Sequence, residues 1–453
     1  MILQDLFGAI PGTQIFGDRE VEISGLEYDS RRVRAGQVFF AIPGIKQDGA
    51  QFIPEALSRG AAAVVSETPL SQFRGDLPRA WVQVPHARMA MALAANRFFE
   101  FPSRAIKLLG VTGTNGKTTV SYLLASILRC AGWRPGLFGT IEYDIEFGLG
   151  AESGGAAGLS APNTTPESVD LQRMLREVVE HGGRSAVMEV SSHALALDRV
   201  AGCEFHAAVF TNLSRDHLDF HENLESYFDA KKKLFFPAEG TPPPVFAVLN
   251  SDDERTAALR QKSPSRVLTF GVETPADVTV KRWKAGREGL ELTAETPSGP
   301  VEIRSPLFGR HNISNLLASA AAALTLNISP AEISQGILPV RVPGRMEAIE
   351  EGQPFLVLVD YAHTDDALRH LLAAARELAS EGRVILAKSS NIGVGFTLYC
   401  CRAACPRSRK MSNALIVACL VVFVILIAAL FPGVAVALVA IAIVFVFLVF
   451  GRT

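Results

Sequence analysis

The densest chemistry in the chain lies in Gly113-Thr114-Asn115-Gly116-Lys117-Thr118-Thr119. Its glycines let backbone N–H groups approach phosphate oxygens, and a helix beginning at Lys117 adds a favourable dipole. Lys117 has the reach for β- and γ-phosphates, and the Thr118 hydroxyl can ligate Mg²⁺. The strict GxxxxGK[ST] form is missed, because Val111 stands where that form has its first glycine. GKTT between a strand and a helix nonetheless predicts ATP binding, with an ordinary glycine-containing turn as the alternative. Further along stand Glu189, His217, Lys231 and Arg199. A lone histidine is most often structural, Lys231 to Lys233 could form a solvated basic patch, and Arg199 could be a surface arginine at a helix end.

These residues need a sheet to hold them. AIKLLGV at 105–111 reads as the strand before the loop, and Lys117 to Ala131 as the helix after it. Val120, Leu124, Ile127 and Leu128 share one face of that helix, and Gly132 suits its C-terminal cap. AVMEV (186–190), AAVFTNL (207–213) and VFAVLN (245–250) are further strands. Strands alternating with helices predict a mostly parallel sheet. The preceding 104 residues carry short apolar runs at 38–42, 61–65 and 81–84, a helical spacing of Phe52, Ile53, Ala56 and Leu57, and a helix after His86 with Met89, Leu93 and Phe98 apolar. They form a small α/β domain. Beyond Pro343-Gly344, FLVLVDYA (355–362), a helix capped by Thr364 and ended by Gly382, and RVILA (383–387) make one βαβ unit.

The chain has 453 residues, a net charge of −2 and mean hydropathy of +0.23. Near balance of charge gives no support for a nucleic-acid partner. The excess hydropathy sits after Met411, in charge-free apolar runs at 414–431 and 434–450 split by Pro432-Gly433. Arg402, Arg407, Arg409 and Lys410 precede the runs and Arg452 follows. A transmembrane helical hairpin with both ends in the cytoplasm is expected. Residues 388–410 read as a basic, cysteine-containing linker without periodicity. Of the six cysteines, Cys130 and Cys203 read as buried structural thiols, and Cys400, Cys401 and Cys405 lack the neighbours of a zinc site. MILQDLFGAIPG has no secretory character, so the main body is expected in the cytoplasm, with inner-membrane attachment through 411–453.

GTNGKTT resembles the ATP loop of the Mur ligases and their folylpolyglutamate synthetase relatives. DSRRVRAGQVFFAIPG (29–44), NTTPES (163–168), MEVSSHALALDRV (188–200), TNLSRDHLDFHENLESYFDAKKKLF (211–235), HNISNLLAS (311–319), PGRME (343–347) and VDYAHTDDAL (359–368) narrow the resemblance to the Mur ligases. Within them, the chain is most similar to those adding the third residue to UDP-N-acetylmuramoyl-L-alanyl-D-glutamate. The resemblance implies an α/β chain with a UDP-binding domain at 1–104, a central P-loop ATPase domain at 105–335 and a Rossmann-like C-terminal domain cut short at 336–387. A linker (388–410) and a helical hydrophobic tail (411–453) follow.

The implied reaction is amide formation through an acyl phosphate, using ATP, Mg²⁺ and a diamino acid, diaminopimelate or lysine, in peptidoglycan precursor synthesis. By resemblance, Gly113 to Thr119 bind the phosphates, and Asn312, Arg345 and Asp360 are the adenine, phosphate and ribose contacts. Thr118 and Glu189 hold one Mg²⁺; Glu189, His217 and a carbamylated Lys231 hold a second. Ser30 lies on the uridine side, and Thr164, Thr165, Ser191 and Arg199 contact the muramyl dipeptide. The departures are Thr364 before Asp365, where the family has proline, and the loss of all resemblance after 387, where the pocket for the added amino acid is expected. Catalysis by this form is therefore expected to suffer. Two other readings are a membrane-tethered nucleotide-sugar-binding protein without catalysis and a folylpolyglutamate synthetase-like ligase.

Overall fold

The computed structural model describes residues 1–44, 47–145, 159–217, 219–238, 240–286, 288–349, 356–362, 365–379, 384–388 and 397–401. Three sheets follow one another along the chain. The first contains β1 (Gln14–Gly17), β2 (Gly25–Glu27), β3 (Gln37–Ala41), β4 (Ala63–Ser66) and β5 (Ala80–Gln83), in the order β1-β5-β4-β3-β2. β2 to β5 are parallel, and β1 closes antiparallel on β5. Phe39 and Phe40 point to opposite faces of β3 and are both buried, as a sheet covered on both sides requires. One cover is the helix Ala87–Phe98. Its face toward the sheet is Ala87, Ala90, Met91, Ala94 and Ala95, with the apolar Phe98 packed partly buried against the same core. The alanines let the helix approach closely, while the larger Leu93 packs sideways toward Gly202 of the next domain.

The second sheet has eleven strands: β6 (Lys107–Thr112), β7 (Pro135–Phe138), β8 (Glu142–Asp144), β9 (Leu159–Ser160), β10 (Ser185–Glu189), β11 (Ala207–Phe210), β12 (Phe246–Asn250), β13 (Arg266–Gly271), β14 (Val278–Gly286), β15 (Gly289–Glu295) and β16 (Val301–Ser305). Their order is β16-β15-β14-β13-β12-β11-β6-β10-β7-β8-β9. From β14 to β7 every neighbouring pair is parallel. The wings at both edges are antiparallel. The expectation of a mostly parallel sheet therefore holds for the centre and misses the wings. The helix Lys117–Cys130 crosses from β6 with Val120, Leu124, Ile127 and Leu128 fully buried. Ala131 caps it, and Gly132 follows with φ of 74°. Cys203 is buried as expected, whereas Cys130, at the helix end, is exposed.

The third sheet departs most from expectation. It contains β17 (Glu347–Ile349), β18 (Leu356–Asp360), β19 (Val384–Lys388) and β20 (Thr397–Cys401), in the order β17-β18-β20-β19. All three pairings are antiparallel, so this is not a Rossmann-like parallel unit. β18, the helix Asp365–Ala379 and β19 are present as read, but β20 enters between the two strands. Open N–H and C=O rows on β18 and β19 demand partners, and the segment holding Cys400 and Cys401 supplies them. The helix buries Leu371, Ala374 and Ala375, in one cluster with Leu358 of β18. The expected caps Thr364 and Gly382, Cys405 and Cys419, and the apolar runs at 414–431 and 434–450 lie outside the described residues. Among the described residues, no helix is long and apolar enough to cross a membrane.

Candidate active site

A cleft of about 970 Å³ lies where the loops after β6, β10 and β11 meet the third sheet. Loops at the C-terminal ends of parallel strands are where α/β sheets place ligands. The loop after β6 depends on two glycines. Gly113 has φ of 147°, and a Cβ there would come within 1.9 Å of Thr211 Oγ1. Gly116 has φ of 88°, and a Cβ would sit 2.4 Å from Asn315 Oδ1. Lys117 folds back on its own loop, donating to the carbonyls of Gly113 (3.0 Å) and Thr114 (2.8 Å). Burial lowers its pKa and Arg345 adds to that, while Glu189 and Asp216 oppose it.

Glu189 ends β10 and is 1% exposed. Three groups hold its carboxylate. Thr118 Oγ1 donates to Oε2 at 3.0 Å, Thr140 N donates to Oε1 at 2.8 Å, and Thr140 Oγ1 donates to Oε2 at 3.1 Å. A hydroxyl and a carboxylate already in contact, beside a phosphate loop, are a fitting oxygen donor pair for Mg²⁺. Lys231, on the helix Leu224–Lys232, is 1% exposed. It donates to the Gly113 carbonyl at 2.8 Å and lies 4.3 Å from the centre of the Tyr227 ring. Burial drives its pKa well below the ordinary lysine range, and Lys117 pushes the same way. It is no solvated patch residue, unlike the more exposed Lys232 and Lys233, which pair with Asp229 and Asp198.

His217 lines the cleft with a φ of 52°. Its ring is 5.0 Å from that of His193, which is 5.7 Å from that of His221. Burial lowers the pKa of all three, that of His221 to about 4. No group of three or more His, Cys, Asp or Glu is arranged to hold a metal ion among the described residues.

The cleft also gathers Thr164, Ser191, Arg199, Asn312, Arg345 and Asp360. Asn312 donates to Phe308 O at 2.7 Å and accepts from Asn315 at 2.7 Å. Asp360 accepts from the backbone of Met346 and of Ala362. Arg345 reaches to 3.4 Å from the Thr118 hydroxyl, its guanidinium 5.0 Å from the centre of the Tyr361 ring. Ser191 caps the helix Ser192–Ala196. Thr165 does not line the cleft; its buried hydroxyl donates to Glu189 O at 2.8 Å and accepts from Ser191 N. Ser30 is also away from the cleft, donating to Glu55 at 2.6 Å in the first domain. Sequence reasoning missed Thr140, Tyr227, Asn315 and His193. Tyr227 stands four residues before Lys231 and Asn315 three after Asn312, helical spacings that put each pair on one face.

The description "Mur ligase family, catalytic domain" matches residues 22–99, "Mur ligase middle domain" 111–323 and "Mur ligase, glutamate ligase domain" 344–393. The last match continues past 387, where the sequence reading ends the resemblance. A UDP-N-acetylmuramoyl-L-alanyl-D-glutamate--2,6-diaminopimelate ligase of Solibacter usitatus is 48% identical over 360 residues, covering 79% of this chain and 70% of its own. Its namesake in Geobacter metallireducens is 43% identical over 389 residues, covering 85% and 74%. A solved structure of a ligase of that name superposes with a TM-score of 0.70 at 30% identity, covering 83% of this chain and 74% of the other.

Proposed function

The chain belongs to the Mur ligase family of ATP-dependent ligases, and from that premise we propose that it joins diaminopimelate to UDP-N-acetylmuramoyl-L-alanyl-D-glutamate in peptidoglycan precursor synthesis. The observation that carries the reading is the convergence on one cleft of a phosphate loop, the Thr118–Glu189 contact and the buried Lys231. In the proposed reaction a substrate carboxylate oxygen attacks the γ-phosphorus of ATP and ADP departs. The amine of diaminopimelate then attacks the acyl phosphate, phosphate leaves, and the amine gives up a proton as the amide forms. Charge collects where the phosphoryl group moves, so positioning and neutralisation carry most of the rate.

In this reading Gly113 to Thr119 cradle the phosphates, with Lys117 leaving its loop carbonyls for the β- and γ-oxygens. Asn312 takes the adenine, Arg345 a phosphate and Asp360 the ribose. Mg²⁺, when bound by Thr118 and Glu189 and by Glu189, His217 and Lys231, would offset phosphate charge. Lys231 contributes to the second set as a carbamate. Its buried, low-pKa amine has the neutral lone pair that adds to CO₂ with loss of one proton. Thr164, Thr165, Ser191 and Arg199 address the dipeptide end, and Ser30 the uridine end. The domain limits that fit are 1–104, 105–335 and a third domain from 336, reaching beyond 387 to include β20.

The membrane hairpin at 411–453, tethering a cytoplasmic body, rests on hydropathy alone. A non-catalytic, tethered nucleotide-sugar-binding protein is the second reading, favoured by the end of the family match at residue 393. A folylpolyglutamate synthetase-like activity is set aside, because relatives spanning most of the chain carry the muramyl-peptide ligase name. The test is phosphate release by the full chain with ATP, Mg²⁺ and UDP-N-acetylmuramoyl-L-alanyl-D-glutamate, with and without diaminopimelate. Release coupled to tripeptide supports the ligase; substrate binding without release supports the tethered binder.

A further inference from the structure

We propose that Glu167 is the residue that sets the orientation of Arg199, and with it the affinity for the anionic dipeptide end of the substrate. This rests on the ligase reading above. Glu167 occupies the N-cap position of the helix Ser168–Glu180, yet its side chain makes no capping bond. Short side chains cap well, and glutamate is too long to turn back on its own helix easily. Its carboxylate extends instead to two arginines. Oε1 is 2.7 Å from Arg199 Nη2, and Oε2 is 3.6 Å from Arg88 Nη1. The Glu167 and Arg199 side chains are only 14% and 13% exposed.

Arg199 is held at a second point, where Nη1 donates to Thr165 O at 3.0 Å. Two anchors on different nitrogens fix the plane of a guanidinium, which then faces the cleft without having to be ordered when a carboxylate arrives. Arg88 belongs to the first domain's helix Ala87–Phe98, so the chain of contacts spans the seam between the domain expected to hold the nucleotide and the loop that reads the dipeptide. The seam has a second tie nearby, where Tyr28 of the first domain donates to Asp170 at 2.5 Å. Glu167 thus acts through Arg199 and has no need to touch substrate.

The test is calorimetric binding to the full chain. Glu167→Gln is expected to weaken UDP-N-acetylmuramoyl-L-alanyl-D-glutamate about tenfold, the lower range for a hydrogen bond to a charged group, with affinity for a non-hydrolysable ATP analogue unchanged. Glu167→Asp, which keeps the charge, is expected to recover part of that loss. Unchanged substrate affinity in Glu167→Gln overturns the proposal, and so does an equal loss of nucleotide affinity, which would report general damage. If the wild-type chain binds no muramyl substrate, the ligase reading falls, and exchange of the Arg199 Nε–H in NMR spectra still decides the positioning role. Faster exchange in Glu167→Gln supports it; an unaltered rate overturns it.

Discussion

Replacing Gly113 by alanine tests whether the phosphate loop is held by sterics as argued. The backbone there has φ of 147°, and the new Cβ would meet Thr211 Oγ1 at 1.9 Å and Asn212 N and O at 3.1 Å. A glycine-only conformation costs a side chain about 1–3 kcal/mol. Overpacking adds about 1–3 kcal/mol. Thr211 cannot turn away freely, because its hydroxyl donates to Asn115 O at 2.6 Å, and losing that bond costs about 1 kcal/mol. The sum is about 3–7 kcal/mol. Gly132→Ala is the matched control, with φ of 74° and nothing within 4 Å of its Cβ; it should cost only about 1–2 kcal/mol. The difference of about 2–5 kcal/mol corresponds to a melting temperature lower by about 4–20 °C for a domain of this size. Differential scanning fluorimetry with and without an ATP analogue reads both numbers, and Gly113→Ala should also lose the analogue's stabilisation. Equal melting temperatures for the two variants, with nucleotide still bound by Gly113→Ala, would refute the steric account.

Lys231→Ala should lower tripeptide synthesis by about 10²–10³-fold, the range for removing one electrostatic contributor from an active site. Wild-type turnover should fall in CO₂-depleted buffer and return with bicarbonate; a wild-type rate indifferent to bicarbonate would remove the carbamate. Burial raises the Cys203 thiol to about 12 while Cys130 is exposed. Iodoacetamide at pH 8 should therefore label the Cys130 peptide and spare the Cys203 peptide, where only about one thiol in 10⁴ is ionised; comparable labelling would contradict the burial. His311, half-buried beside His370 in the cleft wall, has its pKa lowered to about 4 by desolvation first and by His370 second, against about 6.5 in the unfolded chain. The unfolded state then binds more protons between those values, so stability should fall as pH drops from 6.5 to 4 and be fully present above 6.5. The slope of melting temperature against pH across that window should flatten in His311→Gln, and an unchanged slope would exclude His311 as its source.

Which parts of this molecule the sequence revealed follows from the range of the forces involved. The helix after the phosphate loop was readable because Val120, Leu124, Ile127 and Leu128 repeat at helical spacing on a buried face. The parallel strands were readable as apolar runs for the same reason. Thr140 was invisible: its bonds to Glu189 span 49 residues of sequence, and nothing local distinguishes a threonine that orients a carboxylate from one in a turn. β20 was hidden for a related reason. A five-residue strand containing Cys400 and Cys401 is recognised only by the gap between β18 and β19 that it fills. Cys130 was misjudged because its apolar neighbours suggest burial, while the helix end turns it outward. Ser30 and Thr165 were named for their motifs, and the fold uses both hydroxyls in bonds away from the cleft surface.

The two lysines show how the cleft could be made ready for a polyphosphate. Both donate to the Gly113 carbonyl, at 3.0 and 2.8 Å, which its two lone pairs permit. Two ammonium groups on one acceptor repel each other, and burial penalises both charges. The strain is eased if one lysine gives up its proton, and the surroundings decide which. Glu189 and Asp216 both support the charge on Lys117, whereas Lys231 has only Asp216 and is opposed by Lys117 itself. Arg345 also opposes the charge on Lys117, but Lys231 is the more strongly depressed of the two, so the balance of charges favours loss of its proton first. Lys117 is parked on two loop carbonyls that a phosphate oxygen can outcompete, because the phosphate brings a full negative charge where each carbonyl offers only a dipole. On this account Lys117→Met should raise the pKa of Lys231 by removing the repelling charge. Reactivity of Lys231 toward acetic anhydride, mapped by mass spectrometry across pH 7 to 10, reads that shift; an unchanged profile would mean that burial alone sets the protonation of Lys231.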